Sequence, residues 1–196
     1  MRMRLKSGKT LTATAAVTLL AAGTALAAPG AALAASGASG AAPGTQVTGT
    51  LANGTVWIAE YPKSWNGTLI LYSHGFGPLT AADAPDPNTQ AALLADGYAL
   101  AGSSDDPNNS EWALDTAVSD QFGTLAAVES TVLPSRPKHV LAFGTSMGGL
   151  VSALEAQQGR GKIDGALTTC GIVGGGINLN EYQIDGEYAI AQLLGN

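Results

Sequence analysis

The sequence predicts an α/β fold, a mostly parallel sheet with helices on both faces, entered through an N-terminal β-hairpin. Three observations carry this. From Thr68 onward, apolar runs of strand length alternate with segments of helix length, the signature of βαβ units. The run Thr68 to Ser73 (TLILYS) is almost continuously apolar, as expected of a strand covered on both faces. At 196 residues, 45% hydrophobic and 12% charged, the chain suits one domain with a real core and is too short for two ordinary ones.

The first forty-odd residues stand outside this fold. Met1 to Lys9 carry Arg2, Arg4, Lys6 and Lys9 and no acid, and Leu11 to Ala28 form an alanine-rich apolar run. Small-residue sites follow at Ala25-Leu26-Ala27 and Ala32-Leu33-Ala34. A basic front, an apolar middle and an A-x-A end make residues 1–34 a secretory signal peptide and the protein an exported one. The alternative, a membrane anchor, is weakened by the alanine and threonine that dilute the run, so no stable membrane association is expected after cleavage. Residues 35–44 read as a flexible Ala/Gly/Ser/Pro leader, and 45–196 as the folded domain.

Thr45 to Leu51 and Thr55 to Tyr61 read as two strands joined at Asn53-Gly54, a tight turn with positive φ expected at both central residues. Trp65-Asn66-Gly67 turns into the strand Thr68 to Ser73. Thr89 to Asp96 reads as a helix stopped by Gly97, and Tyr98 to Gly102 as a strand. Glu111 to Val132 reads as one long helix with Ser110 as its cap and Pro134 past its end. Val140 to Phe143 is a strand, Met147 to Gln158 a helix ended by Gly159, and Ile163 to Thr169 a strand. Gly174-Gly175-Gly176 reads as a loop and Asn178 to Leu194 as a last helix. Cys170, the single cysteine, is expected to be a small apolar core residue.

The region after Gly44 holds five basic and fifteen acidic residues, a net charge of −10. No basic stripe remains to neutralise phosphates, so nucleic acid is not an expected partner. Two separated histidines and one cysteine offer no metal-ligand cluster. No G-x-G-x-x-G with a spaced acid marks a nucleotide site, so no cofactor is expected.

Gly144-Thr145-Ser146-Met147-Gly148 fits G-x-S-x-G. With 26 glycines and 13 serines, chance alone supplies roughly 0.2 such strings, so its setting has to carry the weight. It follows the apolar run His139 to Phe143 and opens a helix, the strand–turn–helix context of a nucleophile elbow. A serine on so sharp a turn projects its hydroxyl, and the helix start behind it aims N–H groups at developing negative charge. His74-Gly75-Phe76-Gly77 ends another strand of the same parallel set and so reaches the same rim. The N–H groups of Phe76 and Met147 together would form an oxyanion hole.

Together these motifs resemble the α/β-hydrolase superfamily, over roughly Thr45 to Thr169. The resemblance implies Ser146 as nucleophile, the Phe76 and Met147 amides as oxyanion donors, and His74, Gly75, Gly144 and Gly148 as supports of loop and elbow. It also implies an acid and then a histidine later in the chain. Asp185 is the candidate acid, beside Glu181 and Glu187; Asp105-Asp106 sit on the rim but read as shaping the loop Asp105 to Ser110. The catalytic histidine is missing: His139 begins the strand whose other end carries Ser146, and His74 belongs to the loop. The expectation is a sequence cut before its last two strands, with an uncovered apolar strand Ile163 to Thr169 and poor solubility of residues 45–196 alone. The function implied is hydrolysis of small carboxylic esters through an acyl-enzyme. A serine peptidase or amidase on the same fold, or a non-catalytic secreted binding module, are the alternatives. Phe76, Met147 and Trp112 are candidates to line an acyl pocket, with a core role open for Trp112.

Overall fold

The computed structural model describes residues 44–195. The signal peptide 1–34, all but the last residue of the leader 35–44, and Asn196 lie outside the described residues. Six strands form one sheet: β1 (Thr45–Thr50), β2 (Val56–Tyr61), β3 (Thr68–Ser73), β4 (Ala99–Ser103), β5 (His139–Thr145) and β6 (Gly165–Thr169). Four helices accompany them: α1 (Pro87–Ala95), α2 (Ala117–Thr131), α3 (Met147–Gln158) and α4 (Gly175–Leu194). The sheet order is β1-β2-β4-β3-β5-β6. β1, β2 and β4 pair antiparallel, and β4, β3, β5 and β6 run parallel.

The alternation of the strands decides what each face holds. Leu69 and Leu71 of β3 are fully buried on the face shared with Leu125 and Val128 of α2, Val140 of β5 and Trp57 and Ala59 of β2. Complete burial of one such leucine contributes about 1.5–3 kcal/mol. Ile70 and Tyr72 point to the opposite face, where Thr89 and Leu93 of α1 border a groove floored by Ile70, Leu141 and Phe143. Helices therefore flank both faces of a mostly parallel sheet, as the alternation of runs predicts.

Register places the strand ends level. Ser73 pairs with Gly144, Tyr72 with Gly102 and Thr145 with Thr169. The segments leaving β3, β4, β5 and β6 consequently emerge along one rim. The register brings sequence positions 74, 105, 146 and 170 to that rim.

Five local expectations are corrected. In the β1–β2 connection only Gly54 takes positive φ (95°), because Asn53 turns its side chain to cap Thr55 N (3.2 Å) and donates to Asp120 (2.8 Å). The long helix begins at Ala117, not Glu111. Ser110 Oγ instead accepts from Trp112 N (3.2 Å), Asn109 ties to Thr116 (2.9 Å), and side-chain bonds of this kind compete with the helical ladder. Cys170 is exposed and left-handed (φ 50°), past the end of β6, so it is no core residue. Gly175, at φ 87°, and Gly176 belong to the start of α4, which begins three residues before Asn178. α1 also starts early, because Asp86 accepts from the Asn88 and Thr89 amides around Pro87.

β6 is the sheet's edge and is mostly exposed, with Leu167 58% accessible. The groove beside it, about 420 Å³, is walled by Leu141, Ala166 and Leu167. α4 buries none of its side chains, and Ile177, Ile184 and Leu193 all face outward. No helix among the described residues is long and apolar enough to cross a membrane.

Candidate active site

Ser146 stands between β5 and α3 with φ 58° and ψ −119°, a backbone conformation that L-residues rarely adopt. Its amide donates to Thr169 O (2.9 Å), and its carbonyl accepts from Gly149 N (2.9 Å). The flanking glycines are there for want of space. A Cβ on Gly144 would stand 1.8 Å from Gly148 O, and one on Gly148 would stand 1.9 Å from Ser73 O. Both obstacles are backbone, so neither can move aside cheaply. The sequence G-x-S-x-G thus describes a turn in which β5, α3 and the end of β3 touch at their main chains, with the half-buried Ser146 at its apex.

The β3 loop lies against that apex. A Cβ on Gly75 would meet Ser146 Cβ at 3.4 Å and Oγ at 4.0 Å. Phe76 follows, 51% exposed, its ring stacked on that of Trp112 with centroids 4.8 Å apart. Trp112 is thereby a surface residue beside the loop and not part of the core, while Met147 is fully buried. His74 Nδ1–H donates to the Gly75 carbonyl (2.7 Å), and Nε2 faces Asp105 Oδ2 at 3.5 Å. With Nδ1–H given to Gly75 and Nε2 buried against Asp105 without a hydrogen-bond partner, His74 braces the loop.

Behind the elbow lies a buried polar cluster. Ser73 Oγ donates to Glu155 Oε1 (3.1 Å) and accepts from Gln121 Nε2 (3.0 Å), which also donates to Tyr72 O (2.7 Å). Glu155 is fully buried, and its Oε2 has no partner. Burial pushes its carboxyl up to about 8, with Asp105 adding and Ser73 opposing. Asp105 is likewise raised, chiefly by burial, against the pull of His74 and with Asp120 adding. Glu155 and Gln121 were not singled out by motif. The signal was nonetheless present: 147, 151 and 155 recur at helical spacing on the buried face of α3.

The remaining sequence candidates are elsewhere. Asp185 is exposed on α4, in an open groove with Tyr182, Glu187 and Ile190, and makes no side-chain hydrogen bond among the described residues. Glu181 and Glu187 are exposed on the same helix. His139 is at the far end of β5, 65% exposed and 3.8 Å from Asp164. Asp106 forms a local turn with Asn108 (2.8 and 2.9 Å), the loop-shaping role expected of it. Among the described residues no three His, Cys, Asp or Glu side chains converge to hold a metal ion.

No protein-family profile matches the sequence, and no curated protein matches it. Solved structures do. An arylesterase superposes with a TM-score of 0.51 at 17% identity, over 67% of this chain and 46% of its own. The acylaminoacyl peptidase of Pyrococcus horikoshii gives 0.55 at 10% identity, over 67% and 23%. An esterase of Pyrococcus furiosus gives 0.50 at 14% identity, over 65% and 49%. The chain has the α/β-hydrolase fold, and it spans less than half the length of each of these three proteins.

Proposed function

We propose that this chain carries the nucleophile half of a serine hydrolase, in which Ser146 attacks the carbonyl carbon of a small carboxylic ester. The observation that carries the reading is the left-handed Ser146 (φ 58°) at the apex of a turn whose glycines admit no side chain. Attack forms a bond from Oγ to the carbonyl carbon and places negative charge on the carbonyl oxygen. The Phe76 and Met147 N–H groups take up that charge, collapse expels the alcohol, and water then releases the acid from the acyl-enzyme. The serine proton needs a general base, and on this reading it lies outside the two histidines: His74 spends Nδ1–H on Gly75 and turns Nε2 toward Asp105, and His139 is at the other end of β5. For the acid of the relay, Asp185 is carried by chain order alone. Export from the cell is part of the same reading, on the basic, apolar and A-x-A pattern of residues 1–34.

The exposed Phe76–Trp112 pair beside Ser146 supports an apolar acyl or alcohol group as the part of the substrate held there. The test is covalent labelling by a fluorophosphonate with imidazole supplied as external base, read by intact mass, with Ser146→Ala as control. A single adduct that vanishes in the variant supports the nucleophile. No adduct after prolonged exposure, on protein with a dispersed amide spectrum, sinks it and favours a binding module. Ester and anilide substrates of one acyl group then separate esterase from amidase.

A further inference from the structure

We propose that Asp105 is a positioning residue of the oxyanion loop: acting through His74, it fixes the orientation of the peptide unit between Gly75 and Phe76. The inference deepens the reading of the Phe76 N–H as an oxyanion donor and rests on it.

The argument follows one peptide plane. The carbonyl of Gly75 and the N–H of Phe76 belong to the same trans unit and point in opposite directions. Whatever holds the carbonyl therefore aims the N–H. His74 holds it: a carbonyl oxygen only accepts, so the 2.7 Å contact requires the proton on Nδ1. The ring in turn packs against Asp105, whose Oδ2 lies 3.5 Å from Nε2 without a hydrogen bond; with Nδ1–H given to Gly75, the two groups attract when a second proton lies between them, and both side chains are buried around it (His74 12% exposed, Asp105 5%). The second carboxylate oxygen accepts from Ser103 Oγ (3.3 Å), and Ser104 Oγ donates to the Asp105 carbonyl (2.8 Å) while accepting from Val56 N (3.0 Å). Asp105 is also left-handed (φ 58°), a conformation a non-glycine residue keeps only where its surroundings hold it. Its neighbour Asp106 spends its carboxylate on a turn within its own loop. Asp105 turns away from that loop, into the interior and onto His74.

The experiment uses the full chain. Three variants are compared with the parent: Asp105→Gly, which keeps φ positive without strain and removes the carboxylate; Asp105→Asn, which keeps the contact; and Asp106→Asn. Two readouts are taken, the ring and Phe76 amide resonances in ¹⁵N spectra and the second-order rate of Ser146 phosphonylation. The parent is expected to show a protonated His74 Nδ1. Asp105→Gly is expected to shift the Phe76 amide and slow labelling by about 10- to 100-fold, since outright loss of one oxyanion donor costs about 10²–10³. Asp105→Asn is expected to stay within about 3-fold of the parent, the conservative rescue that a role confined to backbone shape does not require. Asp106→Asn should match the parent. An unmoved Phe76 amide and unchanged rate in Asp105→Gly overturns the inference, and so does a parent His74 whose Nδ1 carries no proton. That second criterion holds even where Asp105→Gly fails to fold. A parent that does not label, yet couples His74 to Phe76, overturns the nucleophile reading and leaves the coupling of Asp105 to the loop standing.

Discussion

Glu155 gives the sharpest physical expectation, because a fully buried carboxyl with one unpartnered oxygen must respond to pH in one direction only. In the unfolded chain it ionises near 4.5; in the folded protein burial holds it protonated up to about 8. Below the unfolded value both states carry the proton and nothing is lost. As pH rises from about 4.5 to 8 the unfolded state releases its proton and the folded state does not, so stability falls by about 1.4 kcal/mol per pH unit, about 5 kcal/mol in all. Glu155→Gln imitates the protonated form and keeps an acceptor for Ser73 Oγ. The two proteins should differ by less than about 1 kcal/mol at pH 4.5, with the variant about 3–5 kcal/mol more stable at pH 8.5. Urea denaturation followed through the buried Trp57 measures the gap at each pH, and urea leaves charge interactions unscreened. A gap equal at both pH values, or a variant less stable at pH 8.5, would refute the argument. Asp83 and Asp105, both raised chiefly by burial, push the parent's own pH profile the same way.

Three further outcomes are expected. Gly144→Ala puts a methyl 1.8 Å from Gly148 O and demands a backbone shift of about 1.6 Å, so it should cost at least about 3 kcal/mol and lower Tm by about 6–12 °C in a thermal melt. Ser146→Gly should abolish phosphonate labelling and yet raise stability by about 1–3 kcal/mol, because it relieves the left-handed backbone; a destabilised variant would show that no strain is stored there. Leu167→Lys, at a position 58% exposed on the edge strand, should raise the monomer fraction in size-exclusion chromatography and leave Tm within about 2 °C.

Much of the sheet was legible because its signals are local. Apolar runs bounded by turn residues place the strands to within a few positions, and Gly97, left-handed at 87°, ends α1 where a stop is read from the sequence. Errors fell where side chains compete with the backbone. The segment 111–116 has helical composition, but Ser110, Asn109 and the stacking of Trp112 on Phe76 hold it in turns. Cys170 was misplaced because periodicity says how a strand begins and not where its last residue turns into the left-handed region. Ser146 and its glycines were readable from their context, whereas the pairing of His74 with Asp105 was not. That contact joins residues 31 apart, and only the register of β3 on β4 brings them together.

The two ends of the parallel sheet are built by different rules, and this bears on the site independently of any motif. At the end from which β3, β4 and β6 begin, positive φ falls on Gly67, Gly97 and Gly161, which take that conformation without strain. At the other end, the non-glycine residues with positive φ among those described are Asp105, Ser146 and Cys170, each directly past β4, β5 or β6 or within two residues of it. Past β3 the same rim uses glycine, Gly77 at φ 148°, and glycine at the other three positions would gain about 1 kcal/mol or more each. Instead it keeps a carboxylate, a hydroxyl and a thiol at the strained positions. Two of the three meet in one construction: Asp105 steadies His74, His74 steadies the Gly75 carbonyl, and Gly75 lies against Ser146. The strain and the polar side chains therefore fall together on one rim, the one to which the proposed reading assigns the chemistry.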